Sequence, residues 1–162
     1  MDNTIITNRN TLKEHMDMLF VFSSKVLYNL GHPLPIIEAS KSLIGLDIDN
    51  PSRNLLKWLE RYLQNFQPTY RIPENKIEDI QEGVLTTYEL ESLIKQRKLK
   101  DSKVYLQRIL QVADFEYIME LFFEISLEHS LDKALFCWSA YKSIKHMNVE
   151  ESRALLFITL DC

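Results

Sequence analysis

The fold is decided by residues 114–144, which read DFEYIMELFFEISLEHSLDKALFCWSAYKSI. In residues 115–127 the apolar side chains recur so densely that they cover well over half of the circumference of a helix. A helix of this kind must be covered on more than one side. In residues 131–144 the apolar side chains instead define one cleaner helical face. The two segments therefore predict consecutive helices that pack among several others.

Helical periodicity extends to both sides of this stretch. Three residue pairs have the capping-box spacing, in which the side chain at a helix start accepts from the backbone N–H three residues later. They predict helix starts at Thr11 with Glu14, at Thr86 with Glu89, and at Asn148 with Glu151. Gly31 and Pro33 predict the end of a first helix that spans residues 11–30. The run Asp49-Asn50-Pro51 predicts an N-cap and a first-turn proline, and Asp114 predicts a further cap.

Length and composition bound the architecture. A chain of 162 residues matches one domain, and 46% hydrophobic residues with only three glycines are typical of a packed helical protein. We expect an all-α, single-domain irregular bundle of about seven to eight helices over residues 11–162, with a short α–α superhelix as the alternative. Residues 1–10 are predicted to form an N-terminal arm, and residues 67–83 a loop-rich segment. Residues 154–160 are apolar enough for a buried helix or a strand, although the capping box favours a helix.

Charge and hydropathy exclude several function classes. The net charge of -4 provides no positive field for a phosphate backbone, which argues against nucleic acid as a partner. No stretch approaches the roughly 20 apolar residues that cross a bilayer, and the polar start Met1-Asp2-Asn3-Thr4 is not a signal peptide. We therefore expect a cytoplasmic protein without a membrane-spanning segment.

No motif for catalysis, a metal or a cofactor is present in the sequence. The four histidines are far apart and have no cysteine at ligand spacing, so we expect them at the surface or at helix ends: His15, His32, His129 and His146. Cys137 and Cys162 have no CxxC spacing and are expected to be reduced thiols. The sequence therefore predicts no cofactor and favours a function other than catalysis.

The candidate interaction residues lie mainly on the helix predicted over residues 115–127. Glutamates at steps of four form an acidic ridge along it, which we interpret as a solvated face or as a docking strip for a basic partner. Large aromatic side chains at helical spacing are expected mostly in the core, although one or two could anchor a partner. The candidates are Phe115, Glu116, Met119, Glu120, Phe122, Phe123, Glu124, Trp138, Tyr141 and Phe157, and Trp58 is expected in the core.

The apolar residues exceed what one small bundle needs to bury. The surplus lies in residues 115–127, in residues 154–160 and on the Met18, Val21 and Phe22 side of the first helix. An exposed remainder would mark an interface. The leading hypothesis is therefore a non-enzymatic protein–protein interaction module, either a homodimer or a helical adaptor or inhibitor with a protein partner. The alternative is a small-ligand receptor or an enzyme with a pocket between its helices.

Residues 106–122 suggest a more specific form of this hypothesis. Leu106-Gln107-x-Ile109-Leu110 precedes Asp114-Phe115-x-x-Ile118-x-x-Leu121-Phe122. This pattern resembles the helix-turn-helix of BART domains, which are all-helical binders of Arf-like small GTPases. The resemblance implies an all-helical fold and a small-GTPase partner. The residues before Pro73 and after Ser130 depart from the family pattern.

Overall fold

The computed structural model describes residues 9–29, 31–71 and 84–162, and all regular secondary structure in these ranges is helical. The eight α-helices, α1 to α8, are Arg9–Ser23, Leu34–Ile44, Arg53–Leu63, Thr87–Lys95, Leu99–Ile109, Phe115–Leu127, Leu131–Ser143 and Val149–Leu160. Short 3-10 turns follow α2 at Gly45–Asp47 and α7 at Ile144–His146. The expected all-α class is therefore confirmed, and residues 154–160 are helical.

Contacts between distant parts of the chain make the fold a bundle rather than a superhelix. Helix α7 packs against α6 and α8, and also against α2 near the other end of the sequence. Helix α8 in turn contacts α5 and α6. In a superhelix each repeat contacts only its neighbours in sequence. The contact between α2 and α7 therefore identifies an irregular bundle.

One continuous apolar core joins these helices. Its largest fully buried side chains include Phe20 of α1, Leu59 of α3, Phe136 of α7 and Phe157 of α8. Residues 154–159 are all buried, so the apolar surplus predicted for this segment is absorbed by the core. Each large apolar side chain removed from water contributes about 1.5–3 kcal/mol to folding, which explains why α8 lies inside the bundle.

The predicted caps of three later helices are confirmed. The Thr86 hydroxyl accepts from the Glu89 backbone N–H at 3.3 Å, and the Asp114 carboxylate accepts from the Glu116 N–H at 3.0 Å. At α8 the Asn148 side chain accepts from two backbone N–H groups, and the Glu151 carboxylate accepts from the Asn148 N–H at 3.2 Å. These local hydrogen bonds satisfy donors that a helix start otherwise leaves unpaired.

The boundaries of the earlier helices differ from the predictions. Helix α1 begins at Arg9, so Thr11 lies within the helix and does not cap it. It ends at Ser23 rather than residue 30, and the hydroxyls of Ser23 and Ser24 bond to backbone carbonyls three residues earlier. Such bonds compete with the regular helical pattern. Helix α3 is capped by Ser52, whose hydroxyl accepts from the Leu55 N–H at 3.3 Å, rather than by the residues before Pro51.

The connection between α1 and α2 is packed against the bundle. The Tyr70 N–H donates to the Lys25 carbonyl at 2.7 Å, which ties this connection to the segment that follows α3. The Tyr28 ring lies 4.9 Å from the Phe136 ring, measured between centroids. Most of the predicted loop-rich segment lies outside the described residues.

Candidate functional site

An exposed apolar stripe runs along the outer face of α7. Leu131, Leu135 and Trp138 are spaced four and three residues apart, and 83%, 51% and 42% of their surfaces are exposed. Residues at this spacing share one face of a helix. Leu127, at the end of the preceding helix, is exposed beside them in sequence. Single exposed apolar residues are ordinary, but a contiguous set on one helix face is typical of an interaction surface.

Aromatic contacts fix the central part of this stripe. The Trp138 ring lies 5.3 Å from the Phe123 ring of α6 and 5.7 Å from the Tyr141 ring, with an angle of 26° between the planes of the latter pair. The Lys142 ammonium lies 5.5 Å from the centroid of the Trp138 ring, a cation–π distance. Trp138 is therefore held in place from α6 and from its own helix while nearly half of its surface stays exposed.

The acidic ridge of α6 lies on the solvent side, as its polar character indicates. Glu116, Glu120 and Glu124 are exposed, and within the described residues none of them forms an ion pair. The fourth member, Glu128, differs because its carboxylate pairs with the Lys95 ammonium at 3.2 Å. Three carboxylates are thus left exposed on α6, the helix whose Phe123 ring contacts Trp138 of the stripe.

Three predicted interaction residues belong to the core. Met119, Phe122 and Phe157 are each 4% exposed or less, so they cannot contact a partner in this conformation. The physical reason is that α6 is covered by α4, α7 and α8, and α8 by α5, α6 and α7. Phe115 and Tyr141 are partly buried.

Trp58 departs from the expectation in the opposite direction, because 49% of its surface is exposed although it was expected in the core. Trp138, one of the predicted interaction residues, is 42% exposed and is therefore open to a partner. Trp58 lies on α3 and stacks on Tyr62 at 5.3 Å, where it belongs to a separate aromatic pair. Leu131 and Leu135 belong to the stripe but are not among the interaction residues predicted from the sequence. Their spacing to Trp138 was visible in the sequence, but it indicated a buried face rather than an exposed one.

A cavity of about 670 Å³ opens on another side of the bundle, among the α4–α5 turn, the α6–α7 turn and the end of α8. Its lining combines cationic, anionic and thiol groups with apolar walls, and includes Lys95, Arg97, Lys133, Cys137, Asp161 and Cys162. A cavity of this volume is large enough for a small organic molecule. The structure thus provides a pocket of the kind that the ligand-binding alternative requires.

Two cysteine thiols meet in the wall of this cavity. Cys137 on α7 is buried, whereas Cys162 is partly exposed, and the two side chains are hydrogen-bonded. The hydrogen bond from Cys137 and a second from the Tyr28 hydroxyl lower the pKa of Cys162 to about 7. The hydrogen bond to Cys162 and burial raise the pKa of Cys137. The Lys133 ammonium donates to the backbone carbonyl of Cys162.

One histidine, His32, is buried against the surface expectation, whereas His146 is partly buried at the end of the turn that follows α7. His32 is 4% exposed, and its Nε2 lies 3.1 Å from the Val26 carbonyl while its Nδ1 accepts from the Leu34 N–H. His146 stacks on Phe20 with centroids 5.0 Å apart and lies 3.1 Å from a carboxylate oxygen of Asp17. Burial lowers the pKa of both imidazoles, that of His32 to about 4.

Neither histidine belongs to a metal-binding group. Within residues 9–29, 31–71 and 84–162, no three histidine, cysteine or carboxylate side chains come together as ligands would. Both imidazole nitrogens of His32 instead face backbone groups. In His146, Nδ1 faces the Asp17 carboxylate and the ring stacks on Phe20, whereas Nε2 has no hydrogen-bond partner among the described residues. Their environment is that of structural residues.

None of the helices in the described ranges has the length and apolar character needed to cross a membrane. Comparisons of the chain with protein-family models, with curated proteins and with solved structures found no match. Among the residues that carry the BART resemblance, Leu106, Ile109, Ile118 and Phe122 are buried. Those positions contribute to the packing of α5 and α6 in this bundle and are not available to a GTPase.

Proposed function

We propose that this chain is a protein-binding module whose α6–α7 face receives an amphipathic, basic helix from a partner protein. The observation that carries the proposal is the exposed stripe of Leu131, Leu135 and Trp138 beside a ridge in which three glutamates are exposed and form no ion pair with the described residues. Covering each of these large side chains would contribute about 1.5–3 kcal/mol before the costs of association are subtracted. Trp138 is the expected anchor, because tryptophan is enriched among residues that dominate binding energy and its ring is already held by Phe123.

Charge complementarity supports a basic partner. Glu116, Glu120 and Glu124 are exposed on α6, and they would attract lysine or arginine residues on the polar edge of a helix seated on the stripe. A second copy of this chain fits less well, because a symmetric interface at this face would bring two acidic ridges near each other. The proposal therefore commits to a partner with a different sequence. It also includes a cytoplasmic location, which the two unpaired cysteines support.

A pair of synthetic peptides tests the proposal directly. One is a fluorescently labelled leucine–lysine helix with apolar residues at the i, i+4 and i+7 positions, and the other has the same pattern with glutamate in place of lysine. Fluorescence anisotropy with the 162-residue chain should detect binding of the basic peptide and at least tenfold weaker binding of the acidic one. The affinity for the basic peptide should fall with added salt, since exposed charges are screened.

The chain offers a matched control for the anchor residue. Trp138→Ala is expected to lower the affinity for the basic peptide about tenfold or more, whereas Trp58→Ala, with a similar exposed fraction on α3, should leave it unchanged. Equal losses in the two variants, or equal binding of both peptides, would overturn the proposal. The proposal would also be overturned if the protein formed a dimer at low micromolar concentration and Trp138→Ala dissociated it. The α6–α7 face would then be occupied by a second copy of the chain.

A small-molecule receptor is the second candidate function, and the cavity of about 670 Å³ favours it. Cations such as Lys133 and Arg97 beside apolar walls suit a small molecule with a carboxylate and a hydrocarbon body. A thermal-shift screen of short- and medium-chain carboxylic acids tests this function. The function is supported if an acid stabilises the wild-type protein, Arg97→Ala abolishes this stabilisation, and Arg53→Ala, a change on the exposed surface of α3, preserves it. If no acid stabilises the protein, this ligand class is excluded.

A further inference from the structure

The two cysteines of the chain lie on different helical segments and meet only in the folded protein. Cys137 is in the middle of α7, and Cys162 follows the end of α8. Helices α7 and α8 pack against each other, and both cysteines line the same cavity. Both are free thiols in the structure. The two thiols therefore share one cavity wall, which is a precondition for a reversible disulfide between them.

Unequal burial gives the two thiols different roles. Cys162 is partly exposed at the cavity wall, whereas Cys137 is 3% exposed and lies behind it. A small reagent that enters the cavity consequently reaches Cys162 first. Because Cys137 is almost fully buried, we expect it to react with a group already attached to Cys162 rather than with a reagent in solution.

The surroundings of Cys162 favour its thiolate form. The Tyr28 hydroxyl, from the connection between α1 and α2, and the Cys137 thiol both donate hydrogen bonds to its sulfur. Lys133, one helical turn before Cys137, adds a positive charge nearby. Hydrogen bonds and cations are the features that lower the pKa of reactive cysteines, and the thiolate is the nucleophilic form.

We propose that Cys162 and Cys137 form a peroxide-reactive pair, in which Cys162 is the attacking thiolate and Cys137 is the resolving thiol. The product is an intrachain disulfide that ties the segment after α8 to the middle of α7. It requires the two sulfur atoms to come within about 2.05 Å of each other. The oxidant class is a hydroperoxide, the simplest member being hydrogen peroxide.

The reaction balances in two steps. The Cys162 thiol first gives its proton to the solvent. Its thiolate then attacks one peroxide oxygen, so that an S–O bond forms and the O–O bond breaks, and the departing hydroxide takes that proton back from the solvent and leaves as water. Cys137 sulfur then attacks the sulfenic sulfur of Cys162, so that the S–S bond forms and the S–O bond breaks. The proton of the Cys137 thiol leaves with that hydroxyl group as water. The pair loses two electrons, which reduce the peroxide, and a dithiol reductant reverses the change.

The test combines hydrogen peroxide treatment with mass spectrometry of the intact 162-residue chain. The wild-type protein should lose the mass of two hydrogen atoms and both titratable thiols, and dithiothreitol should restore them. A tryptic digest should contain one peptide pair joined through Cys137 and Cys162. Circular dichroism before and after oxidation checks that the bundle stays folded.

Two variants assign the roles of the thiols. In Cys137→Ser the sulfenic acid of Cys162 should persist and be trapped by dimedone, whereas in Cys162→Ser the remaining thiol should react with peroxide only on unfolding. If serine at the buried position prevents folding, Cys137→Ala serves instead. A wild-type protein that gains oxygen without forming the disulfide, or that forms only disulfide-linked dimers, would overturn the proposal. So would dimedone labelling of wild type equal to that of Cys137→Ser.

Discussion

The imidazole ring of His32 lies edge-on to the phenyl ring of Phe136, with the two centroids 4.7 Å apart and the ring planes at 73°. Both imidazole nitrogens are engaged, since Nε2 faces the Val26 carbonyl and Nδ1 accepts from the Leu34 N–H. An acceptor at Nδ1 requires that this nitrogen carry no proton. The folded protein therefore holds His32 neutral, in the tautomer with its proton on Nε2.

This relationship predicts a loss of stability at mildly acidic pH. The pKa of His32 is about 4 in the folded state against 6.5 for an ordinary histidine, so only the unfolded chain binds a proton between these values. The contribution of neutral His32 to the free energy of unfolding is complete above pH 6.5 and is lost as the pH falls towards 4. Between pH 7.5 and pH 5 the free energy of unfolding should fall by about 2 kcal/mol on account of this residue.

Urea denaturation at the two pH values measures this loss, with His32→Asn as the control. Asparagine can still accept from the Leu34 N–H but does not titrate, so its stability should depend less steeply on pH. Other groups, including His146, titrate in both proteins and cancel in the difference. An equal pH dependence in wild type and variant would refute the assignment.

Two leucine truncations should separate the core from the stripe. Leu156→Ala removes a fully buried side chain from α8 and should lower the free energy of unfolding by about 2–5 kcal/mol. Leu131→Ala removes the same atoms from a position that is 83% exposed, and should change it by about 0.5 kcal/mol or less. Chemical denaturation of both variants checks this. Comparable losses would mean that Leu131 is covered in solution.

The capping box of α8 should contribute measurably to stability. The Asn148 side chain accepts from the Glu150 and Glu151 N–H groups at 2.8 and 3.1 Å, and Asn148→Ala leaves both donors without this partner. The expected cost is about 1 kcal/mol, seen as a lower Tm. Asn54→Ala, an exposed position within α3, is the matched control and should be neutral or slightly stabilising. An unchanged Tm for Asn148→Ala would show that water replaces the cap without cost.

Alkylation of Cys162 should depend on pH around neutrality. Because the pKa of this thiol is about 7, its rate of reaction with iodoacetamide should rise with pH and reach half of its plateau near pH 7. Tyr28→Phe removes one hydrogen bond to the sulfur and should move the midpoint to higher pH. Tyr62→Phe should leave the midpoint unchanged, because the Tyr62 hydroxyl donates to the Gly31 carbonyl instead. The measurement follows the labelled Cys162 peptide, and a midpoint near 9 in wild type would contradict the prediction.

Local signals in the sequence predicted much of the fold. The cap at Asn148 and the dense apolar pattern of residues 115–127 depend on neighbours within a few positions, and both are confirmed. The predicted start of α1 was wrong. Thr11 and Glu14 have the capping spacing, yet the helix begins two residues before Thr11, at Arg9. A capping spacing is a necessary condition for such a cap, but not a sufficient one.

The candidate sites were harder to predict, because exposure depends on which helices cover which faces. Trp138 and Phe157 have similar sequence surroundings, since each lies among apolar residues at helical spacing. One is half exposed and the other is buried. The surroundings of Cys162 could not be predicted from neighbouring residues in the sequence either. Tyr28, Cys137 and Cys162 are far apart in the chain and come together only when the core is packed.

The contact between α2 and α7 also has a consequence for synthesis of the chain. Helix α2 buries Leu34 and Ile37 in the shared core, but α7, against which it packs, leaves the ribosome only after four intervening helices. Until then these side chains lack the share of their native cover that α7 supplies, although α1 and α3 also contact α2. The nascent chain must therefore carry part of this apolar surface uncovered until residues 131–143 have left the ribosome.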